Sequence, residues 1–194
     1  MSATAIMRSG ARVDLSKPNA DSLFLRDIAE GLAKTPMYGG ATWGFYSHAQ
    51  HATLLAAEAA REEGPQAGLY ALLHHAHVAF ESFDTLNSVE AWRGRRQAVM
   101  RAVHEGCDLD WPMPKPIANA LAVAHACVEM TELRQLCTDC DAEVAALERN
   151  GARSLRGAIK PKAWDRALDG FIEALRVNAV AAQLPRMPIW GDIL

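Results

Sequence analysis

The sequence predicts an all-α single domain with a small β-hairpin at its N-terminus. Three observations predict this fold class. Apolar residues recur at the spacing of amphipathic helices over most of the chain. Glycine and proline pairs interrupt these segments at the points where helices are expected to stop. A length of 194 residues is enough for one well-filled core and short for two, so we expect residues 1–194 to form one helical domain rather than two domains.

The first elements are expected to be a hairpin and a short helix. Residues 5–15 read as two short strands around a turn at Ser9 and Gly10. A short amphipathic helix follows and ends near Thr35 and Pro36, because a residue that precedes proline is disfavoured in helical geometry.

The next two helices are predicted to carry most of the histidines. Gly39 and Gly40 break the chain before a helix over residues 43–63, which stops at Gly64. A third helix over residues 66–82 is strongly apolar, which is typical of a central helix.

The remainder of the chain is predicted to contain three more helices. Three prolines make a loop between the first two of them, and Asn150-Gly151 marks a turn before the last. In order, the segments are a helix over 88–105, a loop over 108–116, a helix over 117–136, a charged segment to 149, a helix over 162–182 and an apolar tail over 185–194. The tail carries Trp190, so we expect it to pack on the body or on a partner chain.

The composition excludes several classes of protein. A formal net charge of -3 offers no electrostatic basis for binding nucleic acid or an anionic membrane. No apolar run is long enough to span a bilayer, and the N-terminus lacks a signal peptide's apolar stretch, so we expect a cytoplasmic protein. The four cysteines fit that compartment. Cys137 and Cys140 have the spacing of a zinc-binding pair, but no second pair completes a tetrahedral site, and we expect them to be structural.

Six of the seven histidines fall in three short tracts. His48 and His51 share a face of the second helix, and His74, His75 and His77 lie together in the third. His125 comes from a later helix. Imidazole is a common metal ligand near neutral pH, and helical bundles build metal sites from inward side chains on facing helices. The histidines therefore suggest a metal centre.

The order and spacing of several motifs resemble the HD superfamily of metal-dependent phosphohydrolases, specifically its 5'-nucleotidase and deoxynucleotide phosphohydrolase-like branch. The resemblance covers roughly residues 8–137. It rests on Ser9-Gly10, Asp27-Ile28-Ala29, Tyr38-Gly39-Gly40, the tract from Phe45 to His51, Ala71-Leu72-Leu73-His74, and Thr131-Glu132. The resemblance implies an HD-type all-α fold. We read Thr131-Glu132 as structural support for its helix.

The resemblance also implies a metal site in which both aspartate ligands are replaced. His51 and His74 match the family's two histidines, whereas His75 and His125 stand at the two aspartate positions. We therefore predict one metal held by His51, His74, His75 and His125. Four neutral imidazoles favour Zn, Ni, Co, Fe or Cu over Mg or Mn. The alternative is a set of interior histidines that bond to one another and to backbone carbonyls.

Two further departures bear on activity. The acidic residue that helps the family to activate water falls on Val78, and a phosphate-contacting arginine falls on Met37. His77 and Glu81 are then the candidate catalytic proton acceptors. Trp43, His48 and Asp84 are the candidate substrate-binding residues, and each of these also has a purely structural interpretation.

The sequence leads to two principal functional hypotheses. The first is a divergent hydrolase that acts on a small phosphorylated molecule or nucleotide through metal-bound water. The second is a catalytically inactive HD-fold protein that binds a nucleotide or a protein partner, which the residues at 37 and 78 favour. Iron-dependent redox chemistry is a poorer match, since related oxygenases use two irons and extra ligands. The apolar ends of the chain predict a homo-oligomer.

Overall fold

The computed structural model describes residues 4–80 and 89–193 and, within the second range, side chains from Arg93 onward. It confirms the predicted all-α class with a small N-terminal hairpin. The strands are Thr4–Ile6 (β1) and Arg12–Asp14 (β2). The α-helices in the described ranges are Leu25–Lys34 (α1), His48–Glu63 (α2), Pro65–Leu73 (α3), Val89–Gly106 (α4), Lys115–Leu136 (α5), Asp141–Arg149 (α6) and Trp164–Ala181 (α7). None of them is long and apolar enough to cross a membrane.

The hairpin is antiparallel and pairs Ala5 with Val13. Val13 points into the core and is fully buried. The turn is anchored to α1, because Ser9 donates its backbone N–H to the carboxylate of Asp27 at 3.1 Å and also bonds to it through its hydroxyl. The predicted hairpin is therefore attached to the first helix by hydrogen bonds.

The second helix begins five residues later than predicted. Ser47 is its N-cap and accepts a hydrogen bond from the backbone N–H of Gln50 at 3.3 Å, which satisfies one of the helix's free donors. Ser47 itself has extended backbone geometry and forms an isolated antiparallel bridge with Pro36. The helix ends where predicted, at Gly64, whose φ of 86° favours glycine. His48 and His51 thus both lie in its first turn.

The third helix ends at Leu73, and the predicted continuation to residue 82 is wrong over residues 74–80. His74 caps the helix, and the chain tightens into a 3-10 turn over Ala76–Phe80. The tightening is visible in the hydrogen bonds, since Val78 N–H bonds to the carbonyl of His75, three residues back. Apolar spacing alone does not distinguish an α-helix from such a turn over a few residues.

The C-terminal half follows the prediction with two corrections. Helix α5 begins at Lys115, so Pro116 lies in its first turn rather than in the preceding loop. Proline is tolerated there because the first N–H groups of a helix have no intrahelical partner. The charged segment before Arg149 is the helix α6. The apolar tail packs back on the same chain, and Trp190 is fully buried.

Helix α2 is central and packs against α1, α3, α5 and α7. The contact of α3 with α7 depends on Gly68, because a Cβ placed on Gly68 would lie 2.2 Å from Oδ1 of Asn178 and 3.1 Å from Cβ of Ala60. These packing relations hold the end of α3, and with it the histidine tract, against the first turn of α2.

Gly68→Ala is expected to lower the free energy of unfolding by about 1–2 kcal/mol, because an overpacked helix contact must shift. Helix propensity by itself would change it in the opposite direction by about 1 kcal/mol. Gly94→Ala on α4 is the matched control, since a Cβ there meets no atom within 4 Å. Urea denaturation measures both. Equal stabilisation by the two substitutions would contradict the close approach of α3 and α7.

Candidate metal centre

Three histidines from three separate segments bring ring nitrogens together. His51 comes from α2, His75 from the turn after α3, and His125 from α5. Each offers one nitrogen, and the three nitrogens all lie within 4.8 Å of one another. The rings of His51 and His75 stack with centroids 5.1 Å apart, and His125 meets His51 edge-on at 5.3 Å. This arrangement could hold a metal ion.

His51 is the most buried member of the cluster, with 1% of its surface exposed. Its Nδ1 lies 2.8 Å from Oε1 of Glu132 and donates a hydrogen bond to it. A neutral imidazole carries one N–H, so this bond leaves Nε2 as a lone pair. That Nε2 is buried and has no hydrogen-bond partner among the described residues. Buried polar atoms are nearly always satisfied, so this nitrogen is available to bind a metal ion or a water molecule.

Glu132 fixes the orientation of His51. It is fully buried and accepts hydrogen bonds from the hydroxyls of Tyr38, at 2.6 Å, and Tyr46, in addition to His51. Burial raises the pKa of Glu132, but the hydrogen bonds from His51, Tyr38 and Tyr46 outweigh it and hold the pKa below its ordinary value. Glu132 is therefore a carboxylate. A carboxylate behind a histidine sets its tautomer and raises its basicity as a ligand.

The sequence predicts only a structural role for Glu132, as support for its helix. The available signal was its spacing, because Glu132 lies seven residues after His125 and so occupies the same face of α5. What the spacing does not reveal is that this face meets the first turn of α2.

His48 contacts the ring of His75 in the way that Glu132 contacts the ring of His51. The Nδ1 atoms of the two rings lie 3.2 Å apart, so one donates and the other accepts. Burial, and then the nearby His51, lower the pKa of His48 to about 4, and burial and His51 also lower the pKa of His75. Both rings are consequently neutral near pH 7. If His75 donates, its Nε2 keeps the lone pair that a metal needs.

His74 lies beside the three-nitrogen cluster and not within it, which differs from the predicted set of four ligands. Its ring centroid is 4.8 Å from that of His75 and 5.7 Å from that of His125. Adjacent residues at the end of a helix point in different directions, so His74 and His75 do not converge on one point. Burial, followed by the charges of His125, His51 and Arg96, lowers the pKa of His74 to about 4.

His125 opens the cluster to the surface. It is 32% exposed, and its Nδ1 lies 3.6 Å from Oε2 of Glu129 on the next turn of α5. Both residues line a groove of about 490 Å³. The other lining residues are His74, Met113, Ala118, Leu121, Ala122 and Ala126, so the groove is mostly apolar. Glu129 was not among the residues that the sequence suggested.

The remaining predicted residues take various positions. His77 is buried, and its ring centroid is 6.1 Å from that of His75. Trp43 is 69% exposed and donates its indole N–H to the carbonyl of Gln135. Glu81 and Asp84 lie outside the described residues.

The two positions at which the resemblance implies an arginine and an acid are occupied by apolar side chains. Met37 is buried with Tyr46 and Leu136, and Val78 packs against the main core. Cys137 and Cys140 are free thiols that pack against Met130, Leu133 and Val144, in agreement with the structural role expected for them.

Comparison with known proteins adds one relative. No family model matches the chain. An uncharacterized protein of Rhodobacter capsulatus is 31% identical over 147 residues, which cover 71% of this chain and 74% of that protein.

Proposed function

This chain belongs to the same family as the uncharacterized Rhodobacter capsulatus protein, and we propose that it is a metal-dependent hydrolase of small phosphorylated molecules. His51, His75 and His125 hold one divalent transition metal. The buried, unsatisfied Nε2 of His51 is the observation that carries this proposal, because Glu132 occupies Nδ1 of the ring and leaves Nε2 as the atom that His51 can offer to a metal shared with the other two histidines.

The donor set suits a transition metal. Three imidazoles form a common catalytic zinc site, which leaves a further coordination position open. Neutral nitrogen donors favour Zn, Ni, Co, Fe or Cu over Mg and Ca, which prefer oxygen. The lowered pKa values of His75 and His125 mean that no proton has to leave these rings near pH 7 before they bind. Glu132 resembles the carboxylates that orient metal-binding histidines.

A phosphorylated substrate fits the charges around the site. A bound divalent ion would activate a water and attract an anion, since no carboxylate belongs to the three-nitrogen cluster. Arg96 lies on α4 near enough for its charge to help to lower the pKa values of His74 and His77. The apolar groove beside His125 would receive the organic part of the substrate.

Glu129 is the proton acceptor that this geometry favours. Its carboxylate lines the groove and lies next to His125, at the side where the cluster meets the surface. His77, one of the two acceptors predicted from the sequence, is buried, and its pKa is lowered to about 3, by burial first and then by Arg96 and His74. A base of that pKa draws a proton weakly at neutral pH.

Metal content and turnover test the proposal together. Elemental analysis of protein purified without chelator is expected to find about one equivalent of a transition metal per chain. The rate of hydrolysis of a panel of nucleotides and simple phosphate esters should rise in proportion to the content of that metal. Glu129→Gln is expected to keep the metal and to lower kcat by about 10²–10⁴. His77→Ala, the matched comparison, should lower kcat far less.

The opposite ranking of the two variants would make His77 the acceptor. Protein that stays metal-free when offered these ions would refute the proposed function. Protein that holds metal but hydrolyses nothing on the panel would favour the second candidate, an inactive HD-fold protein that binds its ligand. The core positions of Met37 and Val78 support that candidate, because neither offers the arginine or the acid that the resemblance implies.

A further inference from the structure

The segment that joins α6 to α7 is strongly basic. Residues 150–163 contain four arginines and lysines and no aspartate or glutamate, in a chain whose net charge is -3. Most of the segment has no regular secondary structure, and its basic side chains from residue 153 onward are exposed. We call residues 150–163 the basic strap.

The basic strap is held in place by side chains of α2 and α5. Gln50 is buried, and its amide donates to the carbonyl of Lys160 at 2.8 Å and accepts from the N–H of Lys162 at 3.0 Å. Ile159 N–H donates to the side-chain oxygen of Gln135 at 2.7 Å. These bonds fix the backbone of the basic strap and therefore fix the positions from which its basic side chains extend.

A cavity of about 270 Å³ lies under the basic strap, between it, α2 and α7. Arg156, Lys160 and Lys162 supply its cationic lining. Its apolar lining includes Leu54 and Ile159. No acidic residue lines it.

The three cations are not neutralised from within the described part of the chain. None of Arg156, Lys160 and Lys162 forms an ion pair there, whereas most of the arginines on neighbouring helices do, such as Arg166 with Asp169 on α7. Three like charges around one cavity repel one another and create a positive potential in it. An anion would relieve that repulsion.

We propose that this cavity binds a small anion that carries a phosphate group next to an apolar group. Arg156, Lys160 and Lys162 contact the phosphate, which lysine and arginine both recognise well. Leu54 and Ile159 cover the apolar group. This site is separate from the three-histidine cluster and does not depend on the proposed hydrolase activity.

Isothermal titration calorimetry with phenylphosphonate tests this site. Phenylphosphonate is suitable because it has a carbon–phosphorus bond and no phosphate ester bond that a hydrolase could cleave. The full chain is titrated in buffer of low ionic strength, where charge attraction is least screened. Methylphosphonate has the same phosphonate group and a smaller apolar group, so it is expected to bind about tenfold more weakly. Lys160→Glu should weaken phenylphosphonate binding by at least about tenfold, and Lys160→Gln by less.

Two variants separate this site from the rest of the molecule. Lys17→Glu makes the same charge change at an exposed lysine on the turn after β2 and should leave binding unchanged. His125→Ala disrupts the three-histidine cluster and should also leave it unchanged. The proposal is overturned if the native chain does not bind phenylphosphonate, if Lys17→Glu weakens binding as much as Lys160→Glu does, or if binding is lost in His125→Ala and kept in Lys160→Glu.

Discussion

His125→Ala is expected to reduce the bound metal from about one equivalent to a trace, without unfolding the protein. His125 supplies one of the three clustered nitrogens and is the member of that cluster that lies on α5. Its side chain is 32% exposed, so its removal leaves no large buried cavity. A loss of metal in a folded variant would therefore report on ligation. Elemental analysis measures the metal and circular dichroism checks the fold.

His104→Gln is the matched control for that experiment. Nδ1 of His104 bonds to the carbonyl of Met100, and its buried Nε2 has no hydrogen-bond partner among the described residues, as is also true of His51. Yet His104 packs against Tyr70 and Trp111 and does not belong to the three-nitrogen cluster. The His104→Gln variant should therefore retain the metal. Equal loss from both variants would mean that metal content follows stability, and full retention in His125→Ala would remove His125 from the site.

The same variants should differ in how metal changes thermal stability. A ligand that binds only the folded state at one hundred times its Kd adds about 2.7 kcal/mol to the free energy of unfolding. Addition of metal should therefore raise the Tm of the native chain and of His104→Gln, but not that of His125→Ala.

Glu132→Ala is expected to lower the free energy of unfolding by about 3–5 kcal/mol, since breaking a buried, hydrogen-bonded charge network is among the costliest single changes. The substitution removes the acceptor of three donors, on the half-buried Tyr38 and on the buried Tyr46 and His51. The two buried donors would then lack a partner. Urea denaturation at pH 7 measures the change.

Glu132→Gln separates the effect on metal from the effect on folding. The amide keeps the shape and one acceptor oxygen but loses the negative charge. We expect the protein to fold and its metal affinity to fall by about 10–100-fold, the usual cost of changing a residue that orients a metal-binding histidine. Tyr38→Phe, which removes one hydrogen bond to Glu132, should cost about 1 kcal/mol and change metal affinity much less. Unchanged metal affinity in Glu132→Gln would refute the orienting role.

The architecture explains why Glu132 carries so much of the site. It lies on the face of α5 that packs on α2, and the two helices are in close contact. Its carboxylate joins α5 to His51 on α2 and to the tyrosines before α2. The same network thus supports the helix packing and orients the ring of His51. Folding and metal binding are expected to be coupled through it.

Local patterns in the sequence determined the class of fold and several element boundaries. The hairpin around Ser9-Gly10, the end of α2 at Gly64 and the end of α5 at Leu136 all follow the prediction. These features depend on backbone preferences and on apolar spacing within a few residues. The grouping of the histidines is also visible in the sequence, and the four ligands that the resemblance implied include the three residues whose nitrogens meet.

Only the tertiary structure decided how those histidines are used. The early end of α3 at Leu73 turns His75 toward His51 and leaves His74 beside the cluster. The bond between His51 and Glu132 spans 81 positions in the sequence. The basic strap likewise meets Gln50 across 110 positions or more. Helical spacing specifies neighbours on one helix, whereas the packing of α2 against α5 and α7 brings residues from distant helices within a few ångströms.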